Sequence, residues 1–149
     1  MESPGEEAVW NDWVGLRMDW IRSFSLRLAP SKGWAFLYAL ICMGGIFYLS
    51  SLPGEKLPGW RPSDLGSTLA HVVAYGVLGW CLILVFYRLQ ILGVRMWIGV
   101  MVLVLLYGIS DEVHQSFVPT RMPSIGDVAA DGIGGLIALL LWHRKGLEK

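Results

Sequence analysis

The chain has 149 residues, 54% of them hydrophobic and 16% charged, with a mean hydropathy of +0.52 and a formal net charge of zero. Soluble domains carry about 25% charged residues, so this balance points to a membrane protein. The absence of any basic run argues against nucleic-acid binding. The isolated Cys42 and Cys81, each inside an apolar stretch, argue against a disulfide framework or a CxxC metal site.

Residues 1–9 contain Glu2, Glu6 and Glu7 and no apolar run, unlike a cleavable signal peptide, which begins basic. From Trp10 to Leu28, apolar residues recur at Trp10, Trp13/Val14, Trp20/Ile21, Phe24 and Leu28, with Asp12, Asp19 and Arg22 turned away. This helical spacing with an aromatic face predicts an amphipathic helix on the membrane surface. A soluble helix docked on the protein's own loops is the alternative. Of the eight tryptophans, Trp10, Trp13, Trp20 and Trp34 lie before or at the first apolar stretch, where interfacial anchoring is their physical use.

Four apolar stretches follow. Gly33 to Gly54 carries no charge over 22 residues, about the length a bilayer needs. Leu65 to Tyr87 is interrupted only by His71. The third is uncharged only from Met96 to Ser110 and the fourth only from Gly132 to Trp142, each too short to span alone. They reach spanning length by running into the polar segment between them: Met96 to Phe117 makes about 33 Å of helix and Ser124 to Trp142 about 28 Å. The expectation is an all-α membrane protein, a bundle of four transmembrane helices preceded by an amphipathic interfacial helix. Its parts are an N-terminal tail and surface helix (1–32), a four-span domain (33–143) and a basic tail (144–149). Lys and Arg number nine in the N-terminal segment, the second-to-third connection and the tail, against three (Lys56, Arg61, Arg121) on the other side. By the positive-inside rule both termini are expected to be cytoplasmic, and the polar segment to face the outer leaflet.

Within that segment, Asp111, Glu112, Arg121, Asp127 and Asp131 lie at or near the ends of apolar spans, where ionisable groups are costly and point to a site. Residues four apart share a helical face. Ser67, His71, Tyr75 and Gly79 form one row, Tyr107, Asp111 and Gln115 a second, with Gly108, Glu112 and Ser116 beside it. In the last span Asp127, Asp131 and Gly135 line up next to Gly126, Ala130, Gly134 and Ala138, a small-residue row that permits close helix packing. Ser124-Ile-Gly-Asp127 after Pro123 is a helix-start signal. Four carboxylates against Arg121 and a conditionally charged His71 leave the site short of positive charge. Shared protons, a cation, a cationic ligand, or Lys56 and Arg61 folding inward are the ways to meet that deficit; acids facing outer water are another.

The stretch from Tyr107 to Asp131, with Asp111-Glu112, Gln115, Pro119, Arg121 and Ser124-Ile-Gly-Asp127, resembles the signature of VanZ-like membrane proteins. Tyr48-Leu-Ser-Ser-Leu-Pro-Gly54 and His71-Val-Val-Ala-Tyr-Gly-Val-Leu-Gly79 support the resemblance, which covers about residues 35–142. Carried over by position, the family's polar residues fall on His71, Asp111, Glu112, Gln115, Arg121 and Asp127. Ser67 and Thr68 stand where the family often has Asp-Lys, and Asp131 where it usually has Asn, which makes this site more negative. The resemblance implies a small multi-span protein of the bacterial cytoplasmic membrane, with a family link to resistance to the glycopeptide teicoplanin, and implies no reaction.

Three functions remain open at this point. The first is binding of an amphiphilic or lipid-linked cell-envelope ligand, with Arg121 holding a phosphate or carboxylate and the acids holding amines or hydroxyls. The second is a structural role, as an accessory subunit of a larger membrane complex. The third is a metal-assisted enzyme using His71, Glu112, His114 and Asp127. With no HExxH and no nucleophile beside an evident base, no metal or other cofactor is assigned, and the residues favour the enzyme reading less than the other two.

Overall fold

The computed structural model describes residues 23–29, 31–54 and 65–143. These residues are helical with short connections: α1 (Lys32–Ser50), α2 (Leu65–Arg88), α3 (Val94–Gln115) and α4 (Ile125–His143). Each is long and apolar enough to cross a membrane, and the bounds follow the four expected spans. The third and fourth spans do run into the polar segment, since α3 carries Asp111, Glu112 and Gln115 in its last turns and α4 carries Asp127 and Asp131 in its first. A lone 15-residue apolar helix would leave backbone groups unsatisfied in hydrocarbon; extension through the acids removes that cost.

Large apolar side chains face outward along every helix, among them Leu40, Val73, Leu106 and Leu140. In water such a surface would drive aggregation; against lipid it is the expected exterior. The interior is small and tight. The α2–α4 pair is the most extensive, with α1 against α2 and α3 against α4. Gly134 of α4 lies against the backbone of α2, where a methyl group would collide with the Val72 carbonyl oxygen and stand 2.7 Å from the Gly76 nitrogen. Gly79 approaches Gly135 less tightly, with an added Cβ standing 3.1 Å from the Gly135 Cα. Of the expected small-residue row, Ala130, Gly134 and Ala138 are buried. Gly126 is exposed at the first turn, with an added Cβ meeting only its neighbour Ser124, so the packing row starts one turn later than the spacing suggested. The first turn meets its neighbours through Ser124 and Asp127 instead, which reach Glu112 and His71.

At the opposite end, residues 23–28 form a short helical turn. Trp80 Nε1 donates to Ser25 Oγ at 3.0 Å, Arg88 donates to the Leu26 carbonyl at 2.7 Å, and the Tyr38 hydroxyl to the Leu28 carbonyl at 3.0 Å. This part of the expected surface helix is therefore tied to the bundle while Phe24 and Leu28 stay exposed. The rest of the expected Trp10–Leu28 helix, the Lys56–Arg61 loop and the basic tail lie outside the described residues. Aromatic rings close this end, with Trp142 meeting Trp80 and Tyr87 edge-on, each at 5.5 Å between centroids.

Candidate functional site

The start of α2, the end of α3 and the start of α4 fall at one end of the bundle, and their polar side chains point inward. His71, Asp111, Glu112, Gln115 and Asp131 are buried, Asp131 completely. His71 is buried because Ser67, Tyr75 and Gly79 share its face and all four turn toward the interior. Its Nδ1 lies 2.9 Å from Asp131 Oδ1, an α2–α4 contact in which the imidazole N–H donates to the carboxylate. The other oxygen of Asp131 packs against Gly108 of α3, where a Cβ would stand 2.5 Å away, and has no hydrogen-bond partner among the described residues. Gly108 thus makes room for a buried carboxylate that larger residues would exclude.

The helix-start signal at Ser124 works in a modified form. Ser124 Oγ accepts the Gly126 N–H at 3.1 Å, a usual N-cap bond. In a capping box the third helical residue, here Asp127, would reach back to the N-cap N–H. Glu112 takes that role instead, its Oε2 accepting the Ser124 N–H at 2.7 Å from the neighbouring helix. Asp127 is released to face His71, with Oδ2 at 4.0 Å from Nε2. One oxygen of Glu112, one of Asp127 and one ring nitrogen of His71 lie within 4.8 Å of one another, a spacing one metal ion can bridge. Asp111 is turned to another side, accepting from Gln115 Nε2 at 2.9 Å.

Arg121 braces the end of α1. Its Nε donates to the Leu52 carbonyl at 3.1 Å and its Nη2 to the Leu49 carbonyl at 3.0 Å. Desolvation pulls the guanidinium below its ordinary pKa, and Asp111, Glu112 and Asp127 pull the other way; the group remains a cation at neutral pH. These bonds tie Arg121 to carbonyls at the C-terminus of α1, of which Leu49 also accepts the Leu52 N–H at 3.2 Å. Arg121→Ala is expected to cost about 1.5–3 kcal/mol, the range for hydrogen bonds to a charged group, measured as lower thermal stability in detergent micelles. Arg121→Lys should recover only part of it, because an ammonium lacks the two-pronged geometry.

Between α1, α2 and α3 lies a cavity of about 260 Å³. Ile46, Leu49, Ala70 and Ala74 supply apolar wall, and His71, Tyr75, Asp111, Gln115 and Arg121 supply polar groups. Tyr75 is 1% exposed, and its hydroxyl has no hydrogen-bond partner among the described residues. A second, larger hollow of about 530 Å³ lies over Glu112 and Ser124, lined otherwise mainly by Ile109, Val113, Ile125 and Val128.

The structure thus brings His71, Glu112, Asp127 and Asp131 together, sets Asp111 and Gln115 beside the first cavity, and gives Arg121 a bracing role at its rim. His114 is not part of this group. It points to α1, 2.9 Å from Ser51 Oγ and with its ring tilted against Phe47 at 4.4 Å between centroids. Three participants were hidden from sequence. Tyr75 reads there as an ordinary core residue. Leu49 and Leu52 contribute only backbone carbonyls, which no residue type announces.

No curated protein and no solved structure matches the chain. The family model for VanZ/LLP1 matches residues 35–146, which takes in all four helices but the first turn of α1. With that match, and with the polar signature residues gathered at one end of a four-helix membrane bundle, the chain belongs to the VanZ/LLP1 family.

Proposed function

We propose that this VanZ/LLP1 protein binds the polar end of an amphiphilic cell-envelope molecule at the outer face of the bacterial cytoplasmic membrane. The observation that carries the reading is the cavity beside Asp111: a pocket of about 260 Å³ with apolar walls and a few convergent polar groups. Ligand pockets have this composition. Its size takes a head group or one end of a chain rather than a whole lipid. The buried Tyr75 hydroxyl, without a partner among the described residues, supports it further, since an unsatisfied buried donor costs about 1–3 kcal/mol and a ligand acceptor would remove that cost. The Lys/Arg asymmetry of the connections supports the outward orientation, and the family's link to teicoplanin resistance supports a ligand from the cell envelope.

Asp111→Asn tests it with little disturbance, because the amide is isosteric and Gln115 can still pair with it. Expression of the wild type in a teicoplanin-susceptible bacterium should raise the inhibitory concentration, and Asp111→Asn should abolish the rise while accumulating normally in the membrane. Undiminished resistance in that variant would remove Asp111 from the site, and a wild type without effect would remove the link to teicoplanin.

A further inference from the structure

Three donor side chains from three helices converge beside the cavity: His71 of α2, Glu112 of α3 and Asp127 of α4. We propose that they hold a divalent transition-metal ion of the zinc or manganese kind, with a coordination position left open for water or an oxygen of a ligand. This goes beyond the amphiphile reading and does not depend on it.

The donor chemistry suits such an ion. An imidazole and two carboxylates, with no thiolate in the group, favour borderline to hard dications over soft ones. Bonds of about 2.0–2.2 Å place neighbouring donors about 3.4 Å apart in a tetrahedral site. His71 Nε2 and Asp127 Oδ2 stand at 4.0 Å, too far for a hydrogen bond and close to that spacing. The three groups lie within 4.8 Å, so modest side-chain closure completes the site.

The surroundings are those of a held ligand set. Ligating histidines commonly donate their second ring N–H to a carboxylate, which fixes tautomer and orientation. Asp131 stands in that place, 2.9 Å from Nδ1, leaving Nε2 on the side of Asp127. Glu112 is fixed in its turn by the Ser124 N–H at 2.7 Å. Asp131 also has a reason to want a cation nearby. It is 0% exposed and its second oxygen has no partner among the described residues, a poor environment for a carboxylate. A dication on the far nitrogen polarises that ring and strengthens the bond to Asp131. A dication on Glu112 and Asp127 also offsets two negative charges, which lessens the charge deficit of the site.

The experiment uses the full chain without a histidine tag, purified in nanodiscs, stripped with chelator and equilibrated with Zn²⁺ or Mn²⁺. Mass-spectrometric metal analysis should find about one ion per chain, as for a single mononuclear site, with a higher unfolding temperature on loading. Asp127→Asn and Glu112→Gln should lose the ion and the stabilisation. Asp131→Asn should weaken affinity about 10–100-fold, as for other outer-shell carboxylates, while His114→Ala should bind like the wild type. The wild-type measurement decides by itself if a variant fails to fold: no stoichiometric uptake of either metal overturns the proposal. An ion retained equally by folded Asp127→Asn and Glu112→Gln also overturns it, since that ion sits elsewhere. Either failure leaves the Asp111 test of ligand binding unaffected.

Discussion

Gly134→Leu is expected to prevent accumulation of folded protein, and Gly134→Ala to cost about 3 kcal/mol, the upper part of the usual range for overpacking. The reason is what surrounds that Cα. An added Cβ would run into the Val72 carbonyl oxygen and lie 2.7 Å from the Gly76 nitrogen and 3.2 Å from the Tyr75 carbonyl carbon. These are backbone atoms of a helix and cannot rotate aside as a side-chain tip would. Relief requires α2 and α4 to separate, and that pair is the most extensive in the bundle. Separation also pulls His71 from Asp131, so both packing and the polar contact are lost. Gly45→Ala is the matched control, since a Cβ there meets nothing within 4 Å; its unfolding midpoint should be close to the wild type. Denaturant or thermal unfolding in micelles distinguishes the two, and equal stability of Gly134→Ala and Gly45→Ala would show that α2 and α4 do not touch at this point.

The second large effect concerns the His71–Asp131 pair. His71→Ala removes the hydrogen-bond partner of a completely buried carboxylate, and breaking a buried pair from one side costs about 3–5 kcal/mol. Asp131→Ala leaves a neutral imidazole and should cost less. The double variant removes both polar groups, so its loss should fall well short of the sum, with a coupling of about 2 kcal/mol, inside the range for residues in direct contact. Measurements belong in chelator-treated buffer, so that metal binding does not enter the comparison. Additivity within about 0.5 kcal/mol would mean that the two side chains do not interact.

Much of the architecture can be read from residue order because a bilayer imposes few options. Backbone groups in hydrocarbon must pair internally, so Lys32–Ser50 and Leu65–Arg88 can only be helices of spanning length. The same constraint carries α3 and α4 into the acidic segment, and short connections then place His71, Glu112 and Asp127 at one end. Helical periodicity even selects the right faces: Ser67, His71, Tyr75 and Gly79 are all buried. What periodicity lacks is the rotation and depth of one helix against the next. The spacing included Gly126 in the packing row, yet it is exposed, and the first turn of α4 meets α2 through Asp127 instead.

Pairing within the site was decided by tertiary structure alone. Asp111 and Glu112 are adjacent in sequence and both accept from Gln115, yet only Glu112 also reaches the Ser124 backbone of the neighbouring helix, since successive helical positions point about 100° apart. Arg121, the obvious partner for the acids, braces two carbonyls at the end of α1 that have no signature in residue identity. The run of ionisable residues between apolar spans was legible at once, as was its shortage of positive charge. That His71 lies between Asp131 and the Asp127–Glu112 pair required three helices to be set in register, with α2 and α4 in close backbone approach at Gly134 and α3 bonded to the start of α4 through Glu112.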